Sequence, residues 1–269
     1  MSSNIRVTDL FIYPVKSLAG ISLPASALDD MGLQYDRRWM LVSPDGLFLT
    51  QRKFPQMALI NTQLEAGHLV LTKDGCDPHI VPEVTASNDT MQVRIWHDTL
   101  QVPLVSKESD AWLSDALGTQ CHLVYIPDDV IRQCDPDFAR QGDHTGFADG
   151  FPILVISQAS LDDLNGRLEN PLEMRRFRPN IVVTGCDPFA EDHWKKFTVG
   201  SVPMRGVKRC SRCILTTVDP EKGERSGKEP LETLSTYRQE GNNVYFGMNV
   251  IHENQGTLKV GDELTLITD

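Results

Sequence analysis

Lys208-Arg209-Cys210-Ser211-Arg212-Cys213, running without a break into Ile214-Leu215-Thr216-Thr217-Val218, decides how the rest of the chain is read. Two thiols stand three residues apart among three cations, and an apolar, β-branched segment follows. Lys and Arg neighbours favour thiolate over thiol, and thiolate is the form that attacks or ligates a metal. The spacing therefore predicts a basic thiol loop that feeds a strand over 214–218. A thioredoxin-like redox pair would need a helix after the cysteines. A structural zinc site would need two further ligands, but Cys76, Cys121, Cys134 and Cys186 are scattered singly. One thiolate completing a metal that a cofactor already holds needs no second pair. Two buried thiols with solvated cations beside them is the plain structural alternative.

Composition narrows the field. The chain has 269 residues, 40% hydrophobic and 23% charged, with a formal net charge of −11. That length can bury a substantial core, and the acidity argues against a nucleic-acid polymer as partner, because phosphate neutralisation needs a basic face. No apolar run approaches a membrane span, and Met1-Ser2-Ser3-Asn4 does not open a signal sequence. The expectation is a cytoplasmic protein with no membrane contact. Between Leu172 and Thr216, however, nine cations (Arg175, Arg176, Arg178, Lys195, Lys196, Arg205, Lys208, Arg209, Arg212) face four acids (Glu173, Asp187, Glu191, Asp192), a local excess of +5. Such an excess predicts an internal anion site.

Outward from the thiols, the N-terminal half reads as short strands. Ile5 to Val15 is one, ending in Tyr13-Pro14-Val15-Lys16-Ser17, where a cation and a hydroxyl sit side by side. Asp36-Arg37 enters a strand at Trp39 to Val42, expected to form a hairpin with Leu47 to Thr50. Leu59–Leu64 pairs with Leu69–Thr72, and Met91–Trp96 with Thr99–Val105 across His97-Asp98. Strands at this spacing argue for a β-rich, barrel-like module. Ser109 to Leu117 has helical spacing behind a capping serine and ends at Gly118. A polar loop, 127–146, precedes Asp149 and a buried strand at Phe151 to Ile156. Next comes a helix from Ser157 to Glu169, with Ser160 and Asp163 at capping-box spacing. In Phe177-Arg178-Pro179-Asn180, proline is expected to hold Arg178 extended and to aim Arg178 and Asn180 to one side. A short helix over 231–238 and strands over 244–251 and 257–267 close the chain, which shows no internal repeat.

Taken together, Tyr13-Pro14-Val15-Lys16-Ser17, Asp36-Arg37, Phe177-Arg178-Pro179-Asn180, Cys210 to Pro220 and Lys259-Val260-Gly261-Asp262 resemble the MOSC family, and within it the mitochondrial amidoxime-reducing components and their bacterial relatives. The resemblance implies a β-rich α+β fold. An N-terminal β-barrel-like MOSC N-terminal domain (1–120) would interlock with a MOSC β-barrel domain (121–269), the boundary falling near Gly118 to Cys121. It implies a molybdenum cofactor, molybdopterin with its metal held by one protein thiolate, Cys213. Lys16, Ser17, Arg37, Arg178, Asn180, Ser211 and Arg212 fall on positions that hold the pterin and its phosphate, and Asp149 on a position near the metal. The activity implied is reduction of small N-hydroxylated compounds such as amidoximes, hydroxylamines and N-hydroxylated bases. Some bacterial relatives carry a C-terminal ferredoxin domain; with no four-cysteine iron–sulfur spacing present here, electrons are expected from a separate flavin or iron–sulfur donor, unless the sequence is part of a longer chain. A molybdenum-cofactor carrier or sulfur-transfer module, working through the Cys210/Cys213 pair, is the alternative.

Overall fold

The computed structural model describes residues 4–85 and 88–267. The Met1-Ser2-Ser3 opening and the Asp269 terminus lie outside the described residues. Seven strands close a barrel: β1 (Ile5–Ile12), β2 (Ile153–Ser157), β3 (Ile181–Thr184), β4 (Lys196–Val199), β5 (Val202–Arg212), β6 (Asn243–His252) and β7 (Glu263–Leu266). The order around it is β2-β3-β1-β7-β4-β5-β6, and β6 pairs back onto β2 to close it. The β2–β3 pair is parallel and the other neighbours are antiparallel. An odd number of strands cannot alternate direction throughout a closed ring, so one parallel pair is required.

Each strand sends apolar side chains inward with a period of two. Leu10, Ile12, Val155, Ile181, Val183, Phe197, Val199, Val250 and Leu264 meet there in one cluster to which all seven strands contribute. Full burial of a side chain of this size stabilises by about 1.5–3 kcal/mol. The barrel thus forms a rigid wall whose strand ends can hold a site. The ends of the chain are interlaced with it: β1 comes from the N-terminus, and Ala25–Asp29 pairs with Gly256–Lys259.

The rest of the N-terminal half packs short sheets over its own cores. Asn61–Glu65 pairs with His68–Thr72, and Thr90–Ile95 with Asp98–Pro103, as expected. The turn in the second hairpin is Trp96-His97, one residue earlier than the sequence suggests, because Asp98 is already paired with Ile95. Trp39–Val42 turns back on Leu47 to Thr50 through a single antiparallel bridge, Val42 to Phe48, with the Leu49 N–H donating to the Leu41 carbonyl at 2.8 Å; its longer ladder is with His122–Tyr125. The first helix, α1 (Lys107–Leu117), is capped by Ser106, whose hydroxyl accepts from the Ser109 N–H, and ends at left-handed Gly118. The second, α2 (Gln158–Asn165), is capped by Ser157 through the Ser160 N–H, so the Ser160/Asp163 box is not used. The third, α3 (Leu231–Arg238), lies where the sequence places it. Among the described residues no helix is long and apolar enough to cross a membrane.

Candidate functional site

The thiol segment is not a loop that feeds a strand. Lys208 to Arg212 are the last five residues of strand β5, and Cys213 leads into a 3-10 turn at Ile214–Thr217. A strand there would have left the Cys213 carbonyl to a neighbouring strand. Instead it accepts from both the Thr216 N–H and the Thr216 hydroxyl at 3.0 Å. The β5–β6 register shifts between Gly206 and Lys208 and again between Arg209 and Ser211. Bulges re-aim side chains that strict alternation would send to opposite faces. Six consecutive residues, Lys208 to Cys213, consequently line one cavity of about 250 Å³.

All the residues singled out in the sequence meet at that cavity: Lys16, Ser17, Arg37, Asp149, Arg178, Asn180, Ser211, Arg212 and Cys213. Lys16 follows the end of β1 and is only 5% exposed. Its ammonium donates to the Phe147 carbonyl at 2.8 Å and pairs with Asp149. Burial lowers its pKa to about 8, against the opposing pull of Asp149. Loss of part of its hydration at the cavity wall would raise the Asp149 pKa, but Lys16 and Arg52 outweigh it and hold the carboxyl far below the usual carboxylate range. The long 127–146 loop serves this arrangement. Arg132 at its start donates to the carbonyls of Gly146 (2.9 Å) and Ala148 (2.5 Å), fixing the backbone that presents Asp149.

Arg37 and Arg178 enclose the ring of Tyr13, their guanidinium carbons 4.4 and 4.1 Å from its centroid. Burial pushes the Tyr13 phenol up to about 12, so the ring stays neutral between two cations. Arg178 is left-handed, φ 57° and ψ 46°, not extended as its place before proline predicts. Tertiary bonds impose this geometry: its carbonyl accepts from Arg37 Nη2 at 3.2 Å and its Nη1 donates to the Leu18 carbonyl at 2.7 Å. Burial lowers the Arg178 pKa to about 10, which leaves it charged at neutral pH. Asn180 is spent largely on architecture. Its Oδ1 accepts from the Leu154 N–H (3.1 Å) and from Arg37 Nη1 (3.0 Å), while Nδ2 donates to the Phe11 carbonyl (3.1 Å). Arg212 donates to Cys210 Sγ at 3.0 Å and to the Phe177 carbonyl at 2.7 Å.

Arg52 was not singled out from the sequence, where it falls just beyond the expected strand at Leu47 to Thr50. In the structure its Nε donates to Cys213 Sγ at 3.2 Å and its Nη2 lies 3.3 Å from Asp149 Oδ2. Lys208 and Arg209 also line the cavity. The walls thus carry seven cations (Lys16, Arg37, Arg52, Arg178, Lys208, Arg209, Arg212) against one carboxylate, Asp149. Arg178 Nη2 and Arg212 Nε are buried without a hydrogen-bond partner, and orphaned donors of this kind call for an acceptor. Among the described residues no group of three or more His, Cys, Asp or Glu side chains could hold a metal ion, which deprives the zinc reading of its ligands.

The comparisons with known proteins agree with this architecture. Residues 4–120 match the MOSC N-terminal beta barrel domain, and residues 142–265 the MOSC domain. Mitochondrial amidoxime-reducing component 1 of Mus musculus is 38% identical, over 97% of this chain and 82% of its own length. The Homo sapiens component 1 is 36% identical over 97% and 82%, and Rattus norvegicus component 2 is 36% identical over 98% and 83%. Among solved structures, the YUAD protein of Bacillus subtilis aligns over 97% of this chain and 94% of its own at 11% identity and a TM-score of 0.46, a similarity too slight to support any inference. The two domain matches and the relatives' identity over nearly the whole chain place this protein in the MOSC family.

Proposed function

We propose that the protein is a molybdenum-cofactor-dependent reductase of small N-hydroxylated compounds. The observation that carries this reading is the cavity itself: seven cations, one carboxylate and two free thiols, Cys210 and Cys213, converge on it, with two buried arginine nitrogens unpartnered. That donor set fits an anionic, phosphate-bearing cofactor whose metal needs a single protein thiolate. It fits a bare metal ion poorly. The relatives are named amidoxime-reducing components, which supports the substrate class.

In this reading Cys213 is the metal ligand. Lys16, Ser17, Arg37, Arg178, Asn180, Ser211 and Arg212 hold the pterin and its phosphate. When bound, the cofactor supplies the two-electron chemistry that converts N–OH to N–H and releases the oxygen as water. The chain's share is to fix that group and shape the approach. Planar guanidinium forks at Arg37, Arg178 and Arg212 suit phosphate oxygens. Tyr13, neutral and fully enclosed, sets the spacing between two of them. Asp149, ionised and 57% exposed, faces incoming substrate and can accept its N–H or O–H. Electrons come from a separate flavin or iron–sulfur protein. A cytoplasmic location belongs to the same proposal and competes with the mitochondrial one in the relatives' names; fractionation of the source cells decides it.

The test is to purify the protein from cells that make the cofactor, measure molybdenum per chain, and assay benzamidoxime reduction with an artificial electron donor. About one molybdenum per chain and its loss, with activity, in Cys213→Ala are expected. Full turnover by Cys213→Ala with cofactor bound sinks the assignment. Cofactor that transfers readily to an acceptor protein, or a persulfide trapped on Cys210 or Cys213, would favour the carrier instead.

A further inference from the structure

Trp96 occupies the first position of the two-residue turn between Thr90–Ile95 and Asp98–Pro103, with φ 54°. Tight hairpin turns with positive φ favour Asn, Asp or Gly, and a bulky aromatic there is a backbone outlier of the kind that collects at functional sites. Its indole is 40% exposed and rests on Phe48, ring centroids 5.0 Å apart. Its Nε1 donates to Asp149 Oδ1 at 3.3 Å. On the indole lies the Arg52 guanidinium, 4.5 Å from the ring centroid. The same planar group is 3.3 Å from Asp149 Oδ2 and reaches Cys213 Sγ at 3.2 Å.

A planar, cationic N–C–N unit thus sits on an aromatic face, paired with a carboxylate and in contact with the thiol. Amidoximes and amidines carry the same planar N–C–N unit. We propose that Trp96 and Asp149 form a recognition slot for amidine-type groups, and that Arg52 fills this slot as an internal stand-in until a substrate displaces it. The slot orients the N–C–N plane against the indole, by stacking for a neutral amidoxime and by added cation–π attraction for a protonated amidine, and the carboxylate fixes its N–H edge. The nitrogen that carries the hydroxyl then points to where Arg52 Nε now meets Cys213. Displacement is easy because the Arg52–Asp149 pair is partly exposed, 24% and 57% for the two side chains, and ion pairs at that exposure are weak. The slot deepens the reductase reading and rests on it for the nature of the substrate; its existence can be tested without turnover.

The probe is benzamidine hydrochloride, titrated calorimetrically into cofactor-free full-length protein at pH 7. Arg52→Ala vacates the slot and is expected to bind benzamidinium at least about tenfold more tightly than the wild type. Arg52→Gln, which keeps more of the side chain, should show a smaller gain and serves if the alanine variant does not fold. Adding Trp96→Ala or Asp149→Asn to either variant should abolish the gain, and neutral benzamide should not bind in any of them. No gain on removing Arg52, or a gain that survives loss of Trp96 and of Asp149, overturns the slot. Benzamidinium binding in this pattern without any benzamidoxime reduction by loaded enzyme keeps the slot and rejects the reductase reading. Reduction without this pattern does the reverse.

Discussion

Replacing Lys16 by methionine should make the free protein more stable while it disables the site. The ammonium is enclosed, and its pKa falls from 10.5 in the unfolded chain to about 8 in the fold. A lysine whose folded pKa is depressed opposes folding most strongly below that folded value, and the opposition fades as pH rises through 8 to 10.5. Two and a half pH units correspond to about 3 kcal/mol at pH 7. Methionine removes this charge but strands the Phe147 carbonyl, which now accepts from Lys16 at 2.8 Å. An orphaned buried acceptor costs about 1–3 kcal/mol. The net expectation is a gain of about 1 kcal/mol, or roughly 2–4 °C in melting temperature for a chain of this size. Thermal or urea unfolding of both proteins from pH 7 to 11 is the assay. The variant's advantage should be largest at pH 7 and should reverse by pH 10.5, where the lost hydrogen bond alone remains. A variant less stable than wild type by 2 kcal/mol at pH 7, with no dependence on pH, would show that the ammonium is fully compensated by Asp149 and that the argument from burial is wrong. Molybdenum content after expression in cofactor-making cells should fall in the same variant, since it lacks a cation of the cavity.

Three other changes test the scaffold. A methyl group at Gly206 would sit 1.9 Å from the Trp194 carbonyl oxygen, a backbone atom that cannot swing away; Gly206→Ala should cost about 3 kcal/mol or more in urea unfolding and shift the end of β5 that carries the thiols. Asn180→Ala removes the partners of the Leu154 N–H and the Phe11 carbonyl at once, so a loss of about 2–5 kcal/mol is expected by the same measurement. Ser157→Ala deletes the cap of α2 and should cost only about 1 kcal/mol, leaving molybdenum content unchanged.

The parts of the fold legible in sequence were those whose signals are local. The hairpins at 61–72 and 90–103, the left-handed stop at Gly118 and α3 follow from alternation, turn residues and helical spacing. The pairing of Trp39–Val42 with His122–Tyr125 did not, because a nearby stretch offered a plausible hairpin and nothing in the sequence weighs a distant strand against it. The site was legible as a set of residue types and illegible as geometry, for a physical reason. Among the described residues seven non-glycine positions have positive φ: Ser17, Tyr35, Arg37, Ala66, Trp96, Arg178 and Phe189. Ser17, Arg37 and Arg178 line the cavity, and Trp96 stands at its rim beside Asp149. Each such residue costs of order 1–3 kcal/mol and persists only where its surroundings over-determine it. Here they do: Arg178 is held by Arg37 and Leu18, Arg37 by Asp36 and Asn180, and Ser17 through its carbonyl by Gln51. Local rules describe what a segment prefers by itself, so they fail where distant side chains force a less favoured shape. The extended Arg178 predicted from Pro179 and the turn misplaced around Trp96 are failures of that kind, and both fall at the site. The same reasoning explains why Arg52 escaped notice: its neighbours in sequence, Gln51 and Lys53, carry no trace of Trp96, Asp149 or Cys213, the three groups that give it a role.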